Sequence, residues 1–363
     1  MIQPNKPQAS EMKRIRILGG GIAGLTAAIN LKIAGIAVEV HERKGYCGKH
    51  TNDFQFLENW TFKDDALDIL KSLHIPTDFY VKPRYSQHVV SPSGKMYVGT
   101  SNQPVTYLVK RGSSSDSIDR SIQSQCIQLG IKLLFHSTLQ AQEADIIATG
   151  IKKPSYVATG LMFTCEQEDK SVLLFDDSLS KQFYSYFVVN DHVGEITCVN
   201  PVNHKDHVIR LEKTVQRFEE IFAIKIENII ERFSAPLSFD PLNPARINNQ
   251  YIVGEAAGFQ DCFMGFGMLY AFKSGYLTAK SIIEGLDYQQ LVNREILKSI
   301  RTSVRNRKLF EKLSNRGYER LIKTLNSRNP IIRNLLGGDD LRQILKKLYN
   351  HSLSCFLHPM LFW

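Results

Sequence analysis

The chain has 363 residues, 43% of them hydrophobic and 22% charged, and carries a formal net charge of +9 at pH 7. This length is sufficient for two domains with a sizeable core, and the composition is that of an ordinary globular protein. No apolar run of roughly eighteen residues occurs, which excludes a predicted membrane-spanning helix. The six cysteines lack metal-ligand spacing, so we expect no metal site and free thiols in a reducing compartment.

The positive charge is concentrated near the C-terminus. Residues 294–347 contain fifteen Lys or Arg and five Asp or Glu, a local balance of +10, so the remainder is near −1. Residues 1–13 are polar and lack the apolar stretch of a signal peptide. We therefore expect a cytoplasmic protein whose basic segment faces nucleic acid, anionic lipid or water.

The segment from Arg14 to Glu42 predicts a strand, a glycine turn, a helix and a second strand that ends in a carboxylate. Gly19 permits the turn, Gly21 lets the backbone approach a pyrophosphate, and Gly24 lets the helix pack on the strand. The amides and dipole at the helix start favour the diphosphate. Glu42 would accept hydrogen bonds from ribose hydroxyls and would repel the 2′-phosphate of NADP. Together these residues predict a dinucleotide-binding βαβ unit rather than one without a ligand.

The rest of the pattern alternates between strands and helices. In chain order it predicts a helix over 53–75, strands over 79–110 with a hairpin at 89–98, a helix over 115–129, strands over 131–135 and 145–148, an antiparallel sheet over 156–235 with a helix over 209–223, a buried strand over 251–253, a helix over 268–284, and mostly helix from 286 onward.

Two later strands end in small-residue turns, with the sequences ADIIATG at 144–150 and IVGEAAG at 252–258. Together with the glycine turn, and in this order, they resemble the FAD-binding signature of the p-hydroxybenzoate-hydroxylase-like flavoproteins over about residues 14–285. The resemblance implies an α/β fold with a Rossmann-type FAD-binding domain, an antiparallel-sheet substrate domain and a helical C-terminal segment. The implied boundaries are 13–75, 101–155 and 245–285 for the FAD-binding domain, 76–100 and 156–244 for the substrate domain, and 286–363 for the basic helical region.

The resemblance also implies the cofactor contacts. The first motif would hold the ADP half, and Glu255, where the family usually has Asp, would bind the ribityl chain. Arg111 matches an arginine near the cofactor, and the alternative is a surface arginine before a helix. The implied FAD-binding residues are Gly19, Gly21, Ile22, Ala23, Gly24, Glu42, Arg43, Arg111, Ala148, Thr149, Gly150, Gly254, Glu255, Gly265, Phe266, Gly267 and Met268.

The stretch 254–275 resembles the geranylgeranyl reductase family more specifically, through GEAAGF, the GFG turn at 265–267 and the AFKSG helix segment. The amides of that turn would face the flavin edge where negative charge builds on reduction. Residues 43–48 resemble the glycine–cysteine turn of these reductases, and 183–190 resemble their aromatic substrate strand. The resemblance makes Cys47, His50 and Tyr186 candidate catalytic or substrate-contacting residues. The alternatives are a small buried Cys47, a solvated loop His50 and a Tyr186 in the sheet core.

The implied function is an FAD-dependent oxidoreductase that reduces C=C bonds of an apolar prenyl or lipid-like substrate by hydride transfer from flavin N5. The chain has no second nucleotide fingerprint, so electrons would come from NAD(P)H that docks transiently or from a redox partner protein. An FAD-dependent monooxygenase and a non-catalytic prenyl-binding protein on the same fold remain alternatives. A halogenase is disfavoured because Trp60 and Trp363 are the only tryptophans.

The basic C-terminal region has apolar residues at helical spacing, with Lys and Arg on the opposite face. This pattern is compatible with peripheral attachment to the anionic inner face of a membrane. The alternative is a helical lid packed on the body with a solvated charged face. Nucleic acid is not expected, because no recognised binding module occurs. The apolar residues are Leu297, Ile300, Val304, Leu309, Leu313, Leu321, Leu325, Leu341, Ile344, Leu345, Leu348, Phe356, Leu357, Leu361, Phe362 and Trp363.

Overall fold

The computed structural model describes residues 14–48, 51–242, 244–330, 336 and 338–350. Sixteen strands in these residues form three sheets of six, seven and three strands. The helices in chain order are α1 (Ile22–Ile33), α2 (Ala66–Ser72), α3 (Ile118–Gln128), α4 (His207–Phe222), α5 (Met268–Glu284), α6 (Tyr288–Val292), α7 (Lys298–Phe310), α8 (Asn315–Leu325) and α9 (Leu341–Asn350).

The six-stranded sheet contains the predicted βαβ unit at its centre. Its strands are β1 (Ile15–Leu18), β2 (Val38–His41), β8 (Lys132–Leu134), β9 (Ile146–Ile147), β15 (Arg246–Ile247) and β16 (Gln250–Ile252). The order is β15-β16-β9-β1-β2-β8, and only the β15–β16 pair is antiparallel. Because parallel strands end at the same edge, the turns after β1, β2, β9 and β16 come together there.

Small residues set the close approach of α1 and α5. A Cβ atom at Gly24 would lie 2.2 Å from a carbonyl oxygen of the glycine turn, and one at Gly275 would lie 2.3 Å from the Ala23 carbonyl oxygen. The Ser274 hydroxyl accepts a hydrogen bond from the Gly254 N–H at 2.9 Å. The Ser-Gly pair of α5 therefore packs this helix on α1 and also holds the turn after β16.

The seven-stranded sheet is the predicted antiparallel sheet. Its strands are β5 (Ser86–Val90), β6 (Met96–Thr100), β10 (Tyr156–Thr164), β11 (Lys170–Leu174), β12 (Ser185–Asn190), β13 (Val193–Pro201) and β14 (Ile229–Leu237), in the order β14-β10-β13-β12-β11-β5-β6. Only the β5–β11 pair is parallel. Helix α4 packs on one face through Leu211 and Phe218, and the opposite face carries aromatic side chains toward the C-terminal helices.

The helix predicted over 53–75 is wrong in its first half. Residues 53–58 form strand β3 (Asp53–Glu58), which pairs with β7 (Thr106–Arg111), and β7 also pairs with β4 (Val81–Arg84), all antiparallel. The sequence DFQF alternates polar and apolar residues with the period of a strand, whereas the helical spacing begins later. Helix α2 starts at Ala66, because the Asp65 carboxylate accepts the Leu67 N–H at 2.9 Å.

The C-terminal helices pack on the body of the protein with their apolar faces inward. Arg307 of α7 is buried, and its guanidinium donates hydrogen bonds to Glu311 and to the Tyr156 hydroxyl, each at 2.8 Å. Arg342 of α9 is also buried and donates to the Asn59 carbonyl oxygen at 2.6 Å. The predicted apolar residues at 356–363 lie outside the described residues. Among the helices that the structure describes, none combines the length and the apolar character needed to cross a membrane.

Candidate functional site

One cavity joins the glycine turn to the aromatic face of the seven-stranded sheet. Its volume is 1230 Å³, which exceeds the roughly 300–1,000 Å³ of ordinary small-molecule pockets. One end lies at the edge of the parallel sheet where β1, β2, β9 and β16 finish. The other end is enclosed by β5, β6, β11, α8 and α9. The cavity is therefore large enough for a dinucleotide and a second ligand together.

The structure brings the residues of the three sequence motifs to this cavity. Gly24 is the exception, because it packs α1 on β1. Tyr186 also lines the cavity, Cys47 does not, and His50 lies outside the described residues. The predicted cofactor residues in the lining are Gly19, Gly21, Ile22, Ala23, Glu42, Arg43, Arg111, Ala148, Thr149, Gly150, Gly254, Glu255, Gly265, Phe266, Gly267 and Met268.

The glycines of the first turn have different roles. Gly19 has a φ of +107°, and a Cβ atom there would lie 2.3 Å from the Ala148 carbonyl oxygen. A Cβ atom at Gly21 would meet no atom of the described residues within 4 Å. Helix α1, which starts at Ile22, has no side-chain cap and no acidic residue in its first turn. Its first amides therefore face open space and can bind an anion there.

Glu42 lies beside this turn at the end of β2. One carboxylate oxygen accepts the Gly20 N–H at 2.8 Å, and the other accepts the Lys44 N–H at 2.9 Å. These two bonds fix the carboxylate at the cavity wall. Each oxygen keeps further acceptor capacity, so Glu42 could also bind the hydroxyls of a ribose.

Arg111 lies in the cavity wall with its side chain 12% exposed, so it is not the surface arginine of the alternative. Its guanidinium binds Asp119 through two hydrogen bonds of 2.8 and 3.0 Å and donates to the Gln55 side chain at 2.8 Å. Burial alone would lower the pKa of Arg111, but Asp119 outweighs it and the pKa is raised. The guanidinium therefore stays charged in the cavity wall near Glu255, in an ion pair with Asp119.

The turn at 265–267 is held by two buried side chains. The Gln260 amide donates to the Gly265 carbonyl oxygen at 2.8 Å. The Asp261 carboxylate accepts the N–H groups of Phe263 at 3.1 Å and Met264 at 2.7 Å. Gly267 then forms the N-cap of α5. The N-termini of α1 and α5 consequently face the same cavity, and both favour negative charge.

Glu255 is part of the turn after β16 and lies close to the turn after β9 and to the N-cap of α5. Its carboxylate oxygens lie 4.0 Å from the Cβ position of Gly150 and 3.7 Å from that of Gly267. This placement puts an acidic group beside the N-terminus of α5, where it could bind the hydroxyls of an extended ligand.

Tyr186 connects the cavity to a buried acid. Its hydroxyl donates to the Glu195 carboxylate at 2.9 Å, and the other oxygen of Glu195 accepts the Phe54 N–H at 2.6 Å. Glu195 is 0% exposed. Burial, followed by the negative charges of Glu195 and Asp53, raises the pKa of Tyr186 well above its usual value. The hydroxyl therefore holds its proton throughout the physiological pH range.

Beyond Tyr186 the cavity wall is mainly apolar and aromatic. It combines side chains of the seven-stranded sheet with the inward faces of α8 and α9, which gives a chamber suited to an apolar chain. The lining residues there include Val89, Val98, Leu173, Phe175, Phe183, Tyr184, Val199, Tyr318, Leu321, Ile322, Leu325, Leu341, Ile344, Leu345 and Leu348.

Sequence reasoning missed the partners that hold the two polar cavity residues. Asp119 and Gln55 fix Arg111, and Glu195 fixes Tyr186. Glu195 did carry a signal, since it is the only charged residue in strand β13. In the described part of the chain, no group of three His, Cys, Asp or Glu side chains is arranged to hold a metal ion.

Cys47 is packed against the glycine turn, where it is 0% exposed, and it does not line the cavity that Tyr186 lines. Burial, followed by the charge of Glu42, raises the pKa of its thiol to about 12. At pH 8 the thiolate fraction is then on the order of 0.01%, so we expect Cys47 to resist iodoacetamide in the folded protein. Mass spectrometry of its peptide before and after denaturation checks this. Rapid alkylation of the native protein would contradict the buried placement.

No protein-family model matches the chain, and no curated protein matches it. Solved structures do match over nearly their whole lengths. A geranylgeranyl bacteriochlorophyll reductase-like protein from Thermoplasma acidophilum has 16% identity and a TM-score of 0.74, covering 96% of this chain and 98% of its own. A flavin-dependent brominase has 14% identity and a TM-score of 0.59, with 96% and 99% covered. The p-nitrophenol 4-monooxygenase of Pseudomonas putida has 12% identity and a TM-score of 0.57, with 97% and 98% covered.

These likenesses confirm the predicted α/β fold with its parallel sheet, antiparallel sheet and C-terminal helices. They also confirm that this chain resembles the reductase-like protein in fold. Because the matching proteins carry three different reaction names, the shared fold does not determine the reaction.

Proposed function

We propose that this protein is an FAD-dependent oxidoreductase that reduces carbon–carbon double bonds of an apolar, prenyl- or lipid-like substrate. One observation carries the proposal: a single cavity runs from the N-termini of α1 and α5 to the apolar chamber. The flavin-dependent brominase supports the choice of cofactor. The reductase-like protein supports the choice of reaction.

The residues present fit FAD from end to end. The open space at Gly21 leaves room for a diphosphate at the first helix. Glu42 would bind the ribose and Glu255 the ribityl chain. The amides of the turn at 265–267 would stabilise negative charge at the flavin edge. An acid at Glu42 disfavours a 2′-phosphate, which argues for FAD over NADP in this position.

Bound FAD would supply a hydride to one carbon of the double bond. The protein's own contribution is to hold a proton and exclude water. Tyr186 carries the proton on its hydroxyl oxygen, and Glu195 orients that hydroxyl through the 2.9 Å hydrogen bond. Once the hydrogen bond to Glu195 is released, transfer of this proton to the second alkene carbon would complete the saturated bond, after which the tyrosinate regains a proton from solvent. The aromatic wall would hold the alkene in place, and the electron donor would be NAD(P)H or a redox partner protein.

Anaerobic reduction of the FAD-loaded protein, followed by mixing with an isoprenoid alkene, tests the proposed reaction. We expect reoxidation of the flavin band and a product heavier by two hydrogens. Failure of every prenyl alkene to reoxidise the flavin would count against a reductase. Oxygen consumption with an oxygenated product would instead identify a monooxygenase, and tight prenyl binding by a protein that takes up no flavin would identify a non-catalytic binder.

Replacing Tyr186 with Phe should slow alkene reduction by about 10²- to 10⁴-fold, the usual contribution of a positioned acid. Binding of FAD should be unchanged, because Tyr186 lies on the substrate side of the glycine turns. Tyr97→Phe is the matched control, since Tyr97 also lines the cavity but is not hydrogen-bonded to Glu195. Equal rates for the two variants in single-turnover reoxidation would remove Tyr186 from the mechanism.

A further inference from the structure

We propose that the outer face of α7 docks the protein onto an anionic membrane surface. This basic face consists of Lys298, Arg301, Arg305 and Lys308 of α7 and Lys312 in the turn that follows, all of them exposed. The inference goes beyond the proposed function by naming a binding surface outside the cavity. Its choice of a lipid partner rests in part on the apolar substrate proposed above.

The spacing of these residues makes one continuous row. They follow one another at intervals of three and four residues, which places them on one side of a helix. The opposite side carries Ile300, Ser303 and Phe310, which are buried against the body. At 1.5 Å per residue the row is roughly 20 Å long, so one flat surface can contact it along its whole length.

The charge of this row is not neutralised by the acids beside it in sequence. Glu295 pairs with Lys273 at 3.4 Å and with Arg294 at 3.0 Å. Glu311 pairs with buried Arg307 at 2.8 Å. Within the described residues, the five members of the basic face form no ion pair. Like charges at these spacings repel one another, so an external anionic surface would relieve an unfavourable interaction in the free protein.

The neighbouring helix links this face to the substrate chamber. Helix α8 lines the chamber with Leu321 and Ile322, while Arg316, Arg320 and Lys323 are exposed. The same helical region therefore presents apolar side chains inward and positive charge outward. The apolar residues of α8 and α9 line the cavity, so docking would depend on charge and not on an inserted apolar helix.

A membrane fits this face better than a nucleic acid does. Every exposed residue of α7 is a Lys or an Arg, so this face offers no aromatic side chain for base stacking and no amide for reading base edges. An apolar substrate of the proposed class resides in the membrane. Docking through α7 would therefore bring the membrane that contains the substrate close to the wall of the substrate chamber. Anionic headgroups match the charge of the row.

The test measures binding of the full-length protein to vesicles of phosphatidylcholine with and without phosphatidylserine. Each basic residue near an anionic surface contributes roughly a fivefold gain in binding. The triple variant Arg301→Gln, Arg305→Gln, Lys308→Gln should therefore bind phosphatidylserine vesicles about 100-fold more weakly than the unaltered protein. Binding of the unaltered protein should also weaken as salt increases.

The matched control is Lys205→Gln, Lys213→Gln, Lys225→Gln, which removes the same charge from exposed positions on and around α4. It should bind like the unaltered protein. Equal losses in both variants, binding that is independent of phosphatidylserine, or preferential binding to a DNA duplex over the vesicles would each overturn the proposal. Flavin content is measured on the same samples. Vesicle binding does not require FAD, so a protein without flavin would count against the proposed function and leave the docking result interpretable.

Discussion

Replacing Gly21 with valine is expected to leave the fold intact and to weaken FAD binding by about 100-fold or more, since charge-assisted hydrogen bonds to the diphosphate contribute about 1.5–3 kcal/mol each. Gly21 has a φ of −82°, which any residue can adopt. A Cβ atom there would enter empty space and not the protein. The added side chain would occupy the volume that the diphosphate needs. Flavin absorbance after gel filtration and the thermal unfolding midpoint measure the two effects separately.

Gly24→Val is the matched control for this prediction. A Cβ atom at Gly24 would lie 2.2 Å from a backbone oxygen and 3.3 Å from Ile17. This variant should therefore lose the fold, because the backbone cannot move aside without separating α1 from the sheet. If Gly21→Val kept normal flavin content, or unfolded like Gly24→Val, the open space at Gly21 would not be a diphosphate site.

Replacing Glu58 with glutamine is expected to stabilise the protein, with a gain that increases with pH. Glu58 is the last residue of β3 and is 0% exposed. Within the part of the chain that the structure describes, neither of its carboxylate oxygens has a partner at hydrogen-bonding geometry. Burial, and to a smaller extent the charge of Asp261, raises the pKa of Glu58 to about 8. The folded protein must therefore either keep this carboxyl protonated or accommodate a buried charge.

The direction of the pH effect follows from the two pKa values. The unfolded chain releases the Glu58 proton near its ordinary pKa of 4.5, whereas the folded chain keeps it up to about 8. The free energy of unfolding therefore falls by up to about 5 kcal/mol as pH rises from 4.5 to 8. Above pH 8 it levels off. Glutamine stays neutral at every pH. The gain in the free energy of unfolding from Glu58→Gln should therefore be near zero at pH 4.5 and about 3 kcal/mol larger at pH 7.

Urea unfolding between pH 5 and pH 8 measures this difference. The buried glutamine amide can change the free energy of unfolding by an amount that does not depend on pH. Such a constant change does not affect the test, because the prediction concerns how the difference between the two proteins varies with pH. Glu212→Gln, at an exposed position on α4, is the control. Its free energy of unfolding should vary with pH in parallel with that of the unaltered protein. Parallel curves for Glu58→Gln as well would show that Glu58 ionises normally in the folded state.

Local chemistry made much of the fold predictable. The glycine turn after β1 and the glycines that flank α5 act within a few residues of their own position. Accordingly, α5 has the predicted bounds of 268–284. The same signals located the cavity-lining motifs, because each follows the end of a parallel strand. The prediction of a helix over 53–58 was wrong because a strand pattern of only four residues precedes a longer helical pattern there.

Partners distant in sequence were not predictable. Asp261 is 88 residues from Tyr349, whose hydroxyl donates to its carboxylate at 2.8 Å. Glu195 meets Tyr186 only because β12 and β13 pair in a particular register. Helical periodicity likewise identified an apolar face on α8, but it did not identify the part of the protein against which that face packs. The structure shows that this face encloses the chamber, so its function depends on the tertiary arrangement.

The most direct test of the account is the flavin content of the full-length protein after purification in the presence of excess FAD. The account predicts a yellow protein that retains stoichiometric FAD through gel filtration, measured by its visible spectrum and by mass spectrometry of the released cofactor. A folded protein that stays colourless and releases no FAD would contradict it.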